Sequence, residues 1–139
     1  MAVRYIVADW DKHKEQLSAV RHEVFVKGQN VPLELEQDES DSRYSHILAL
    51  DGDIPIGTAR LTTDGHIGRV AVLKEYRKLG IGRELIRQIE EIAFELGFDE
   101  VELGAQLHAV PFYEKLGYRA FGNIYMDAGI EHRHMKKTL

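Results

Sequence analysis

The sequence predicts an α/β (α+β) fold with elements in the order β, α, three β, α, β, α, β, β. Three observations carry this. Two Asp-Gly turns, Asp51-Gly52 and Asp64-Gly65, separate three strand-like runs and so build an antiparallel meander. Ile81, Leu85, Ile89, Ile92 and Leu96 step by four, four, three and four residues, one continuous apolar stripe on a long helix. Beyond that helix the chain alternates again between strand-like and helical patterns until it closes on two strands.

Residues 3–8 are rich in Val, Ile and Tyr and read as a short strand. Asp9 is placed to cap a helix over about 11–27, where Leu17, Val20, Val24 and Phe25 share a face and Gly28 ends the run. Asn30-Val31-Pro32 and an acidic stretch follow, with Glu34, Glu36, Asp38, Glu39 and Asp41. Such a stretch is either solvated surface or a loop that attracts a cationic acceptor. Residues 45–51 and 54–63 form two strands about Asp51-Gly52-Asp53, and Asp64-Gly65 leads into a third over 66–73. The striped helix starts after Gly80 and stops at Gly97. Residues 100–105 alternate charged and apolar, as a half-buried strand does. A short helix over about 109–116 ends at Gly117, and 118–127 and 132–139 are the closing strands. No repeat, low-complexity segment or linker interrupts this order, which points to a single domain over residues 1–139.

Composition narrows the function. The length suffices to bury a sizeable core, and the apolar and charged fractions are those of a soluble globular protein. A net charge of -5 argues against a nucleic-acid or membrane surface. The absence of cysteine excludes disulfides, thiolate metal sites and a cysteine nucleophile. The first residues are too polar for a signal peptide, and no apolar run approaches the roughly 18 residues of a membrane span. A cytoplasmic enzyme or binding module is expected.

Against that acidic background, one segment is basic. Lys74, Arg77, Lys78, Arg83 and Arg87 surround Gly80 and Gly82, with only Glu75 and Glu84 opposed. A strand, a basic turn and a helix start in this order build an anion site, because the first N–H groups of a helix lack intrahelical partners and carry partial positive charge. Glycines without a Cβ let a phosphate approach the main chain. A Rossmann site does not fit, since Leu85 occupies the third glycine position and a long basic turn precedes Gly80. A Walker loop would need Gly-Lys-Ser/Thr, which is absent. A domain for another phosphate ligand is the generic alternative.

These residues resemble the GNAT superfamily, N-acyltransferases that use acetyl-CoA. Arg77-Lys78-Leu79-Gly80-Ile81-Gly82 matches its R/Q-x-x-G-x-G/A pyrophosphate motif, flanked by Val-Ala-Val-Leu and Arg-Glu-Leu-Ile. Ala109-Val110-Pro111-Phe112-Tyr113-Glu114-Lys115-Leu116-Gly117-Tyr118 is similar to the family's A-x-x-F-Y-x-K-x-G-F/Y segment. The resemblance covers essentially the full chain and implies a mixed, mostly antiparallel twisted sheet of about six to seven strands flanked by helices. It implies that strands 66–73 and 100–106 splay apart around pantetheine, whose amides pair with main-chain groups at Val70, Ala71 and Val72 as an added strand would. Arg77, Lys78, Leu79, Gly80, Ile81, Gly82 and Arg83 would hold the pyrophosphate. Tyr113 matches the tyrosine near the thioester sulfur, and Gln106 stands where many members have asparagine. Acetyl-CoA is then a co-substrate, no metal is needed, and the partner is a small-molecule or peptide amine. Among assemblies, a homodimer is compatible.

One departure concerns the general base. Many members carry a glutamate on the central strand, but His66-Ile67-Gly68-Arg69-Val70-Ala71-Val72 holds no carboxylate. An amine is mostly protonated at neutral pH, so some group must take its proton. Acceptor-side candidates are Glu23, Glu36, Asp38 and His46. His132 and His134 share a strand face and could chelate a metal, but with no third ligand they read as surface or packing residues. Arg69, mid-strand, needs a carboxylate partner or a path to the edge. The function that follows is direct acetyl transfer to an amine without an acyl-enzyme. The alternative is a non-catalytic acyl-CoA-binding or regulatory module on the same fold.

Overall fold

The structure is a computed structural model and describes residues 2–139. Strands β1 (Val3–Ala8), β2 (Ser45–Asp51), β3 (Ile54–Leu61) and β4 (His66–Val72) pair antiparallel in chain order. Strand β5 (Glu100–Gln106) runs parallel to β4, and β6 (Arg119–Asp127) and β7 (Ile130–Thr138) form a hairpin whose second strand pairs with β5. The seven-stranded order is β1-β2-β3-β4-β5-β7-β6. This is the mixed, mostly antiparallel sheet that the family resemblance implies, with the three-strand meander that the Asp-Gly turns predict.

Alternation along β2 sorts the two layers. Ile47 and Ala49 face helix α3 (Ile81–Glu95), while Leu48 and Leu50 join Leu17 of helix α1 (Trp10–Arg21) on the other side. Full burial of each Leu or Ile contributes about 1.5–3 kcal/mol, so these two seams hold the layers together. The face that α3 buries is Ile81, Leu85, Ile86, Ile89 and Ala93. Leu96, expected at the end of the stripe, is 62% exposed, because the helix ends one residue earlier and the chain turns at Gly97 with φ 92°.

Two expectations shift. The helix over 11–27 is capped by Asp9, whose carboxylate accepts from the Asp11 N–H, but it widens to a π-helix over His22–Lys27. It also continues past Gly28 and stops at Asn30, whose left-handed φ of 57° turns the chain. The closing hairpin is tighter than predicted. Ala128 and Gly129 both take positive φ, as a two-residue turn requires, so β7 begins at Ile130. Two short helices complete the site region: α2 (Leu33–Glu36) and α4 (Val110–Lys115).

Candidate active site

The site is built on a defect in the sheet. β4 and β5 share only two residue pairs, His66 with Glu102 and Ile67 with Leu103. Beyond Ile67 the strands part, and a cleft of about 340 Å³ opens between them. A bulge helps to turn β4 away. Arg69 and Val70 together oppose the single residue Ala59, and Arg69 holds a left-handed φ of 49°. The Thr58 hydroxyl donates to the Arg69 carbonyl at 2.8 Å and fixes the bulge. Leu73 N–H donates to Ile56 on the β3 side, so by strand alternation the main-chain groups of Val72, and of Val70 before it, point toward β5. The Val72 carbonyl accepts from Arg77 Nε at 2.9 Å, while the Ala71 side chain is buried against Val20 and Val24.

The basic turn follows β4 directly. Lys78 and Gly80 both take positive φ, 64° and 82°, which curls the main chain at the start of α3. No side chain caps this helix, and its first main-chain bond is Glu84 N–H to the Gly80 carbonyl. Arg77, Lys78, Leu79 and Arg83 are exposed, and Gly82 is half-buried at the first turn next to buried Ile81. Arg87 belongs to a different set, since Glu84 and Glu91 bind it along the helix surface.

Tyr113 closes the far side. It stands on α4 between Phe112 and Tyr118, both edge-on at 5.0 and 5.7 Å, and lines the cleft. Burial pushes its phenol up to about 12, so it keeps its proton throughout the neutral range. Gln106 also lines the cleft, and its amide donates to Gln29 at 2.8 Å, tying β5 to the end of the first helix.

The family model described as Acetyltransferase (GNAT) domain matches residues 10–139. The chain is 42% identical over 133 residues to the uncharacterized N-acetyltransferase YjcF of Bacillus subtilis, covering 91% of this chain and 95% of that protein. This chain belongs to the GNAT acetyltransferase family. Among solved structures it resembles an acyl-CoA N-acyltransferase from Pseudomonas aeruginosa, with TM-score 0.88, 27% identity and coverage of 99% and 100%. It also resembles Escherichia coli ElaA, with TM-score 0.84, 26% identity and coverage of 99% of both chains.

Within this GNAT domain the acceptor-side candidates separate. Glu36 lines the cleft, but Glu23 pairs with Lys27 on the surface, and Asp38 and His46 stand behind the cleft wall. Glu36 is buried and holds Arg21 Nε at 2.5 Å. Asp41 binds both Arg21, at 2.9 Å, and Arg60, at 3.2 Å, and Asp38 adds a second contact to Arg60. Burial alone would raise Asp41, but Arg21 and then Arg60 outweigh it and hold the carboxyl below its usual range. His46 donates from Nε2 to the Asp41 carbonyl and stacks on Trp10, and burial lowers its affinity for a second proton. Arg69 donates to the Leu35 and Glu36 carbonyls at 3.3 and 3.1 Å, and its Nε lies 3.9 Å from the Glu36 carboxylate, so of the two alternatives it takes the carboxylate partner.

Sequence reasoning missed several cleft residues of this family member: Arg60, Gly104, Tyr125, Asp127 and His132. The one signal available was the alternation of His132 and His134, which places both on one face of a strand.

Proposed function

We propose that the protein transfers the acetyl group of acetyl-CoA directly to an amine. The observation that carries this reading is the succession of three features: the cationic turn at Arg77–Gly82, whose Gly82 lies beside Val72 and Phe112, the main chain of Val70 and Val72 turned away from β3, and the Tyr113 ring lining the cleft with Val70. The turn offers phosphate contacts, the strand edge offers amide contacts, and the thioester then lies toward Tyr113. The amine nitrogen attacks the acetyl carbonyl, the C–N bond forms, the C–S bond breaks, and Tyr113 gives its proton to the departing sulfur. In this reading Gln106 positions the pantetheine arm and Glu36 borders the acceptor.

Two measurements test the reading. Acetyl-CoA and desulfo-CoA should both raise the melting temperature, because the turn reads phosphates; a ligand at 100 times its Kd adds about 2.7 kcal/mol. Thiol release should require an amine, tried with spermidine, kanamycin and a lysine peptide. A melt unmoved by millimolar CoA would remove the donor site. A second reading, an acyl-CoA-binding module without activity, is favoured by the lack of any carboxylate on β4. CoA binding without turnover of any amine would select it.

A further inference from the structure

β7 carries a histidine into the cleft that no part of the donor site uses. His132 is 8% exposed and pairs across the strands with Gln106. Its Nδ1 lies 2.7 Å from the Ile130 carbonyl oxygen. A carbonyl only accepts, so Nδ1 carries the proton, and Nε2 of the neutral ring is left with its lone pair. The ring stacks on Tyr125 at 5.6 Å and 30°, which fixes its plane. Gly104 makes room for the Tyr125 ring beside the imidazole, because the Tyr125 hydroxyl occupies the space a Cβ would take. A Cβ there would come within 4.0 Å of His132 Cδ2, the atom next to Nε2, and 2.1 Å from the Tyr125 hydroxyl.

The other proton acceptors in the cleft are worse placed. Glu36 is held by Arg21, Asp127 is exposed on the hairpin turn, and His108 is exposed beside α4. Burial lowers the proton affinity of His66. We propose that His132 Nε2 is the general base that takes the proton of the acceptor amine, resting on the acetyl-transfer reading above. The bound ammonium gives one proton to Nε2, which passes it to solvent. The free amine then forms the C–N bond as the C–S bond breaks. The second proton of the nitrogen leaves through the cleft and restores the Tyr113 hydroxyl, which has protonated the sulfur. One proton is released for each amide and thiol formed. The charged and titratable groups that line the cleft with His132 are Tyr125 and Asp127 from β6, His66 and Arg69 from β4, Arg60 from β3, Glu36 from α2, His108 after β5 and Tyr113 from α4, and His134 on β7 stacks with it on Tyr125.

His132→Gln keeps a polar side chain and removes the base. With spermidine, kanamycin and the lysine peptide as probes, kcat should fall roughly 100–1,000-fold near pH 7. The CoA-induced rise in Tm should be unchanged. The deficit should narrow as pH approaches the amine's own pKa, about 10.4 for a lysine, because the acceptor then arrives deprotonated. Wild-type kcat in the variant overturns the assignment alone. A wild-type protein that binds CoA and turns over no amine overturns the transfer reading and the base with it. If the variant does not fold, nitrogen NMR of the wild-type imidazole decides: the Nδ1–H tautomer is expected, and an Nε2–H tautomer overturns the proposal.

Discussion

The molecule holds two arginine-rich regions that use the same side chain in opposite ways. In the turn before α3, Arg77, Lys78 and Arg83 are exposed, and the one nearby arginine with close carboxylates, Arg87, is drawn away along the helix. Behind the cleft wall, Arg21 and Arg60 are 2% and 7% exposed and held by Glu36, Asp38 and Asp41. A buried guanidinium needs such partners, since desolvation is costly and only good geometry offsets it. An exposed one keeps its donors available to a phosphate. The acidic stretch therefore acts as counter-charge for arginines contributed by α1, β3 and β4. Through Glu36, Asp38 and Asp41 it fastens α2 and the loop after it to the sheet, while Glu34 and Glu39 remain exposed.

The contrast is broken most directly by removing the shared carboxylate. Asp41→Ala leaves Arg21 and Arg60 short of a partner and should cost about 3–5 kcal/mol in denaturant unfolding. The folded-state carboxyl is held below its ordinary value, so its contribution is fully present above about pH 3.9 and is lost as pH falls toward the folded value. The variant should lose that part of the acid dependence. A variant as stable as wild type would mean that the buried arginines need no such partner.

Gly82→Glu probes the exposed region instead. A Cβ at this position meets Phe112 at 3.6 Å and Val72 at 3.9 Å, which is ordinary contact, and a carboxylate near a helix start is not itself unfavourable. The fold should survive while the CoA-induced stabilisation, about 2.7 kcal/mol at 100 times Kd, disappears. Normal CoA binding by the folded variant would move the phosphates elsewhere.

The smallest effect belongs to Tyr113→Phe, which deletes one hydroxyl and keeps the ring packing. kcat should fall roughly 10–100-fold near pH 7 with CoA affinity little changed. The deficit should narrow above about pH 8.5, where an alkyl thiolate leaves unaided. With the phenol pushed up to about 12, the tyrosine itself does not titrate in that window. Equal kcat at every pH would leave Tyr113 a packing residue.

What the sequence disclosed follows from the range of the interactions. The Asp-Gly turns, the stripe on α3 and the Asp9 cap act over a few residues, so order and element type were legible, as was the family. The Arg21–Glu36 pair joins residues 15 apart through a loop, and Arg69 reaches 33 residues back to the Glu36 carbonyl. No local pattern announces either contact. His132 became a cleft residue only through its register opposite Gln106, which depends on β7 inserting between β5 and β6. The widening of the first helix into a π-turn and the bulge at Arg69 likewise answer to the sheet and the packed loop, not to propensity.

The two-pair seam between β4 and β5 also inverts the usual order of strength in a sheet. Edges normally exchange their amide hydrogens first and centres last. Here the fourth of seven strands has its amides at Val70 and Val72 facing a neighbour that has already turned away. In deuterated water these central positions should label on the timescale of an edge strand, while Ala71 between them, paired to Thr58, should label with the core. A sheet built this way is softest along its middle line and can widen there without unzipping any other strand.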